Sequence, residues 1–291
     1  MNRLASRLFL IALAALPAVA QDGSSTQSPE PRALLWKVSK PDGKHLAYLA
    51  GTFHMGVAID KLPPVLWKAL DECAILATEI DMRDPSIMRD AAMKHVNLPA
   101  GKTLDALLGQ ATFDKLVASM NAAPDQLKPI RPLFLAMQIQ AGWLPQTEGT
   151  DAHIHALATK AKKELAWLET PAEQMALLLG LGDQCWADQL KDLVNEGDKA
   201  KEQMHALHAA YHAGDADKMI AILHDPESEK KYPGMMKVMF DDRNAAWVPK
   251  IEAMLERGNT YVAVGTGHLL GPGSVVELLQ KRGYAVDRVA R

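Results

Sequence analysis

Two stretches far apart in this chain share one pattern, and that pattern constrains the fold more than any other feature. The first is Leu46-Ala-Tyr-Leu-Ala-Gly-Thr-Phe-His-Met-Gly56; the second is Tyr261-Val-Ala-Val-Gly-Thr-Gly-His-Leu-Leu-Gly271. Each is a short apolar run that ends in Gly-Thr-x-His. An apolar run bounded by glycine reads as a strand covered on both faces. Gly51 and Gly265 allow a sharp turn and a close backbone approach. His54 and His268 then emerge just past the strand ends, where open α/β sheets place their ligands. One histidine there is most simply a packed or capping residue. Two, on matched loops, point to a shared site.

The segment Met1–Ala20 reads as an export signal rather than part of the fold. Arg3 and Arg7 precede an apolar core from Leu8 to Val19, and Ala18-Val-Ala20 is a small-x-small cleavage site. That core is short for a membrane span, and no later run approaches the roughly 18 apolar residues a span needs. No cysteine follows the cleavage site, which argues against a lipid anchor, so the expected location is periplasmic or secreted. Losing two arginines and no acid takes the net charge from −3 to −5, which gives no basic footprint for nucleic acid. Gln21–Arg32, rich in Ser, Gln and Pro, reads as a disordered lead-in. Residues 33–291 remain as one large domain. Cys73 and Cys185 could pair in an oxidising compartment. Neither has metal or redox spacing, however, and the apolar surroundings of Cys73 suit a buried free thiol.

Order begins at Ala33–Ser39, and the turn Pro41-Asp-Gly-Lys44 pairs this strand in a hairpin with the one ending at Gly51. Pro63-Pro64 starts a helix with Val65, Leu66, Ala69 and Leu70 on its inner face. Ala74–Glu79 is a buried strand ending in a carboxylate; Glu79 either caps the next turn or joins the histidines. Asp84–Pro145 reads as largely helical, with Met88, Met93, Leu104, Phe113 and Leu116 at helical spacing. A helix over Ala152–Lys162 follows, with Asp151 as its N-cap. His153 and His155 are two apart, so they face differently and are poor joint ligands. Glu164–Glu169 is a further strand that ends in an acid, and Pro171 opens the next helix.

His205, His208 and His212 share one face of another helix and could hold a metal there. With Asp198, Lys199 and Lys201 nearby, that face reads instead as hydrated surface. Asp241-Asp242-Arg243-Asn244 opens the last long helix, which Pro249 kinks or restarts. Arg243 could cap, pair with an acid, or steady an anionic intermediate. A helix over Val275–Arg282 and a strand over Tyr284–Val289 close the chain. Strands crowd both ends and helices fill the centre.

At these residues the chain resembles the TraB/PrgY/GumN family, to which the Wnt-cleaving Tiki proteins are related. Carrying the resemblance are Gly51-Thr-Phe-His54, Thr78-Glu79-Ile-Asp81, Gly149-Thr-Asp151, Leu168-Glu169 with Gln174-Met175, Arg243-Asn244, and Gly265-Thr-Gly-His268-Leu-Leu-Gly271. A single GxxH is a weak signal; the ordered set is specific. Gln174-Met175 departs slightly from the family's usual Gln-Leu. Within the wider erythromycin-esterase/ChaN-like clan, the resemblance implies a duplicated three-layer α/β core with both loops facing one cleft, interrupted by a largely helical central insert. It also implies chemistry: Tiki relatives act as metal-dependent proteases, and the clan includes esterases and a haem-binding protein.

Two imidazoles and a carboxylate make a mixed N/O set suited to Mn, Co or Zn, with open positions for water. The expected ligands are His54, Glu79 and His268, which become acid–base groups if no metal binds. Arg243 is expected to stabilise an oxyanion and Asn244 to orient it or the substrate. Asp151 and Glu169 would fix imidazole tautomers from behind, Glu169 being also an alternative base, and His153 is a marginal extra ligand. There is no HExxH, no GxSxG and no P-loop, so no nucleotide is expected. The leading expectation is an exported metal-dependent hydrolase acting on a peptide or small molecule, with peptidase or esterase chemistry. The alternatives are a haem-, metal- or peptide-binding envelope protein, which an aromatic content of 5% does not favour for haem, and an assembly role in polysaccharide export.

Overall fold

The computed structural model describes residues 33–42 and 44–290. The expected export signal and lead-in lie outside the described residues. Leu35–Ser39 (β1) and His45–Thr52 (β2) form the hairpin, and Ile75–Thr78 (β3), Glu164–Trp167 (β4), Thr260–Gly265 (β5) and Ala285–Arg288 (β6) complete one sheet. The strand order is β4-β3-β5-β2-β1-β6. Strands β2 to β5 run parallel, while β1 is antiparallel to both β2 and β6.

The two matched strands are neighbours. Gly51 of β2 stands opposite Val264 of β5, and Thr52 opposite Gly265, so both Gly-Thr-x-His turns leave the same end of the sheet side by side. Tyr261, Val262, Ala263 and Val264 are consecutive and all buried. Successive strand residues point to opposite faces, so both faces of β5 are covered and the sheet is the middle of three layers. The helices Val65–Glu72 and Thr150–Lys160 pack on the sheet, the Tyr261 hydroxyl donating to the Leu66 carbonyl at 3.3 Å. Asp242–Arg257 and Val275–Lys281 pack on each other, and the former lies against β2 and β5.

The repeat is confined to strand, turn and histidine. After His54 the chain passes through Val65–Glu72 to β3, beyond β5; after His268 it passes through Val275–Lys281 to β6, on the far edge beside β1. The helical centre comes as two segments separated by β4, with apolar cores of their own, one around Leu104, Phe113, Leu116 and Leu190, the other around Phe134, Met175, Trp186 and Met239. Among the described residues no helix is long and apolar enough to cross a membrane.

Several local expectations are corrected. The helix Thr150–Lys160 begins two residues early with Gly149 as its N-cap, so Asp151 sits inside the first turn and does not cap. A π-helical turn, Lys237–Asp241, precedes Asp242–Arg257, and Pro249 lies within that helix without ending it. The cysteines agree with the sequence reading: Cys73 and Cys185 are both free thiols, Cys73 buried. The histidine stripe on Gly197–Ala213 is solvated only in part: His205 is exposed beside Asp198, Lys199 and Lys201, whereas His208 and His212 are half-buried. His205 donates to the Trp143 carbonyl and His208 to the Gly56 carbonyl, both at 2.8 Å. His212 accepts the Ala58 N–H at 3.0 Å and donates through Nδ1 to the His208 carbonyl at 2.9 Å. The bonds to Gly56 and Ala58 clamp the loop that follows His54.

The same loop is zipped to residues 147–150. Gly56 N–H donates to the Thr147 carbonyl at 3.0 Å, and Thr150 N–H to the Phe53 carbonyl at 2.9 Å. Gly149 is required by that approach, because a Cβ there would overlap the carbonyl group of His54. Gly149→Ala is therefore expected to lower stability in urea unfolding by roughly 1–3 kcal/mol, the usual cost of overpacking. Gly180→Ala, which meets nothing within 4 Å, should be neutral or slightly stabilising in the same assay.

Candidate active site

Strands β2 and β5 deliver His54 and His268 to one place, and β3 delivers Glu79 between them. The space above Gly265 marks the meeting point. A Cβ built there would lie 3.1 Å from Glu79 Oε1, 3.6 Å from His54 Nε2 and 3.6 Å from His268 Cδ2. Only glycine leaves that space open, and its N–H donates to Glu79 Oε1 at 2.7 Å. His268 Nε2 lies 3.9 Å from the same oxygen.

Arg243 holds the cluster together from behind. Its Nε donates to Glu169 Oε2 at 3.2 Å; Nη2 donates at 2.6 Å to both Glu169 Oε1 and Glu79 Oε2. Nη1 donates to the Met239 carbonyl at 3.2 Å and to His268 Nε2 at 3.0 Å. A guanidinium has five N–H donors, and all five are used. The π-helical turn matters here, because Met239, whose carbonyl Arg243 takes, lies within it. Trp247, one turn beyond Arg243, stacks under the guanidinium at 4.6 Å and donates Nε1–H to Glu169 Oε2 at 3.1 Å. Gln174 bridges the two acids, donating to Glu169 at 2.9 Å and Glu79 at 3.3 Å.

These contacts correct three expected roles. Arg243 has no N–H free to meet an oxyanion. Glu169 touches no imidazole; it anchors Arg243. Asn244 does not face a substrate: its Nδ2 donates to the Gly273 carbonyl at 2.9 Å, which turns Oδ1 toward His268 Nδ1 at 2.7 Å. That carbonyl partner assigns the amide orientation, and the amide in turn assigns the proton of His268 to Nδ1. His268 is thus neutral, with its Nε2 lone pair occupied by Arg243. Burial first, and Arg243 next, hold its pKa down to about 3 against the pull of Glu79. Phe240 and Trp247 pack on its ring at 4.9 and 4.4 Å between centroids.

Glu79 is ionised. Burial alone would raise its pKa, but Arg243, then His268 and His54, with the Gly265 N–H, bring it to about 2. His54 is the most accessible of the set, with 25% of its side chain exposed. Burial lowers its pKa, yet Asp151 and then Glu79 outweigh that and raise it to about 9. Asp151 Oδ1 lies 3.4 Å from His54 Nδ1. The carboxylate thus stands behind His54 as a charge partner, from the first turn of its helix, rather than as a hydrogen-bonded tautomer lock.

The cluster forms one end of a cavity of about 540 Å³ whose other wall is apolar, with Met82, Met88, Met219, Met239, Leu223 and Phe240. His153 does not line it; its Nδ1 meets Glu148 Oε1 at 3.1 Å, and Trp67 packs on its ring. His155 lines it instead. Counting from Asp151 finds this, since residues four apart share a helix face. Trp247 stands in the same relation to Arg243.

The cation expected between His54, Glu79 and His268 does not fit the donors as arranged. His268 has spent its Nε2 lone pair and Glu79 its Oε2 on Arg243, and His54 is held protonated. Positive charge at this point is already supplied by a guanidinium. A divalent ion would have to displace those hydrogen bonds.

Neighbouring parallel strands that each end in a like histidine loop, with a buried arginine underneath, define a paired-loop class of α/β protein. The chain belongs to the TraB/PrgY/gumN family, whose sequence profile matches residues 34–288. Comparison with curated proteins and with solved structures gave no significant match.

Arg243→Leu strands two buried carboxylates and is expected to cost about 3–5 kcal/mol in urea unfolding, more than any exposed arginine change. Stability should also peak near pH 6.5. The Glu79 contribution is whole above its ordinary pKa of 4.5 and is lost as pH falls toward 2. Below 6.5 the unfolded chain takes up a proton at residue 268 that the folded site refuses until about 3, so stability falls on the same flank. The His54 contribution is whole below 6.5 and is lost as pH rises from 6.5 to 9. Urea midpoints across this range check the shape, and Asp151→Asn should flatten the alkaline decline.

Proposed function

We propose that the chain is an exported hydrolase that opens an amide or ester bond with His54 as its proton-transfer group. The observation that supports this most is the position of His54, backed by Asp151, beside ionised Glu79 and facing a cavity large enough for a small substrate. Neutral His54 accepts a proton at Nε2 from a water whose oxygen adds to the substrate carbonyl carbon. The tetrahedral intermediate then collapses, the C–N or C–O bond breaks, and His54 returns the proton to the leaving nitrogen or oxygen. Arg243 contributes fixed positive charge in the cavity wall during this charge build-up, without a direct hydrogen bond. His268 and Glu169 keep the guanidinium in place.

The reaction is written without a metal ion, because the donor set is already engaged by Arg243. Mn, Co or Zn would join it only by displacing that residue from Glu79 and His268.

Turnover of uncharged aryl esters and amino-acid anilides by the purified protein tests this reading. His54→Ala is expected to lower kcat/KM by about 10²–10⁴-fold. Because the pKa of His54 is about 9, activity should rise roughly tenfold per pH unit from 7 toward 9 and then level off, and Asp151→Asn should move that rise to lower pH. Equal turnover by wild type and His54→Ala would sink the proposal. Activity that survives exhaustive chelation supports the metal-free version; activity restored only by added Mn, Co or Zn replaces it.

A further inference from the structure

The two Gly-Thr-x-His motifs carry a pair of threonines that proton transfer by His54 does not use. Thr52 and Thr266 hold like places in the two copies, and both are buried. Their hydroxyls differ. Thr266 Oγ1 donates to the Thr52 carbonyl at 2.9 Å, while Thr52 Oγ1 is buried without a hydrogen-bond partner. The bond therefore runs one way, from the loop of His268 to the loop of His54. Gly51 makes room for it, because a Cβ there would lie 2.7 Å from Thr266 Oγ1.

Two further bonds complete the hold. The Tyr211 hydroxyl, on the helix Gly197–Ala213, donates to the Gly51 carbonyl at 3.2 Å. Its one proton is then used, so in its 2.5 Å contact with Thr150 the threonine hydroxyl is the donor. Thr150 N–H donates to the Phe53 carbonyl at 2.9 Å. The carbonyls of Gly51, Thr52 and Phe53 are thus fixed one after another from three different elements, immediately before His54. Thr150 is also followed by Asp151, which stands 3.4 Å from His54 Nδ1. All of these carbonyls and their donors belong to buried residues, where water does not replace a lost partner. A carbonyl left unpaired there favours a rotated peptide, and the histidine that follows moves with it. A displacement of about 1 Å at a reacting group can cost about 10²-fold in rate.

We propose that Thr266 is a positioning residue through which the second Gly-Thr-x-His copy braces the histidine of the first, with Tyr211 and Thr150 fixing the carbonyls on either side. The proposal rests on the hydrolytic reading of the site and goes beyond it by giving the twin threonines unequal parts. Thr266 acts through the Thr52 carbonyl and moves no proton itself. The Thr52 hydroxyl, which looks identical in the sequence, braces nothing.

Thr266→Val, Thr266→Ser and Thr52→Val are compared with wild type for aryl ester turnover, urea unfolding and amide hydrogen exchange of residues 53–58. Valine has the shape of threonine without its donor. Thr266→Val should lower kcat by about 10–10²-fold with KM within about twofold, since the group displaced is the one that moves the proton. Thr266→Ser restores the donor and should recover most of kcat. Thr52→Val removes a hydroxyl without a partner, so its unfolding midpoint should hold or rise. Its loss of kcat should be at least about fivefold smaller than that of Thr266→Val. Exchange over residues 53–58 should run about tenfold faster in Thr266→Val and return to the wild-type rate in Thr266→Ser. Equal kcat for wild type and Thr266→Val, equal losses in the two valine variants, or no recovery with serine overturns the proposal. So does a Thr266→Val protein that is less stable yet keeps wild-type kcat and exchange, which marks a purely structural threonine. If no form of the protein hydrolyses the esters, the hydrolytic reading fails. The brace on the His54 loop then stands if exchange rises in Thr266→Val and recovers in Thr266→Ser, and falls if exchange is unchanged.

Discussion

Everything at the sheet end depends on one guanidinium with no donor to spare. Arg243 ties the acid after β3 to the acid after β4 and to the histidine after β5, and it does so from a helix that packs across β2 and β5. Two carboxylates and a neutral imidazole this deep in a protein would each carry a large desolvation cost alone. Around one cation they satisfy each other. The cost of the arrangement is that Arg243 becomes architecture, and only its charge is felt in the cavity.

That division of labour separates the two histidines that the sequence makes look alike. His268 is buried between Phe240 and Trp247, with both ring nitrogens committed and its pKa driven down to about 3. His54 keeps a path to the cavity, an acid behind it, and a pKa driven up to about 9. Like motifs on neighbouring parallel strands thus hold one imidazole neutral and buried and the other charged and partly open to the cavity. The reason is local: Arg243 stands against one ring and Asp151 against the other. Environments that push the pKa values of two similar groups in opposite directions are a common mark of assigned acid–base roles.

The sequence makes the frame legible and the wiring illegible. The apolar runs ending in Gly-Thr-x-His are visible as strands because glycine and β-rich segments punctuate the chain, and their likeness brings His54 and His268 to one end of the sheet before any coordinates exist. Glu79 and Glu169 are visible as acids at or just past strand ends. What periodicity does not carry is which of several acids an arginine will choose. Glu169 turns to Arg243 because β4 lies beside β3, a pairing that parallel topology decides. Asp151 reads as a cap because a Gly-Thr-Asp run before a helix usually offers one; the close approach of Gly149 to His54 starts the helix earlier and frees the carboxylate. The π-helical turn before Arg243 leaves no trace in hydrophobic spacing. His208 and His212 look solvated because their partners are backbone groups of a loop some 150 residues away.

The matched strands β2 and β5 also have a temporal consequence. Residues 54 and 268 meet only when strands from both ends of the chain lie in register, with β5 inserted between β3 and β2. A polypeptide that emerges from the ribosome N-terminus first therefore holds half a site for most of its synthesis. The long-range parallel pairing must wait for the last strands, a slow step by topology. Until then His54 and His268 stay apart.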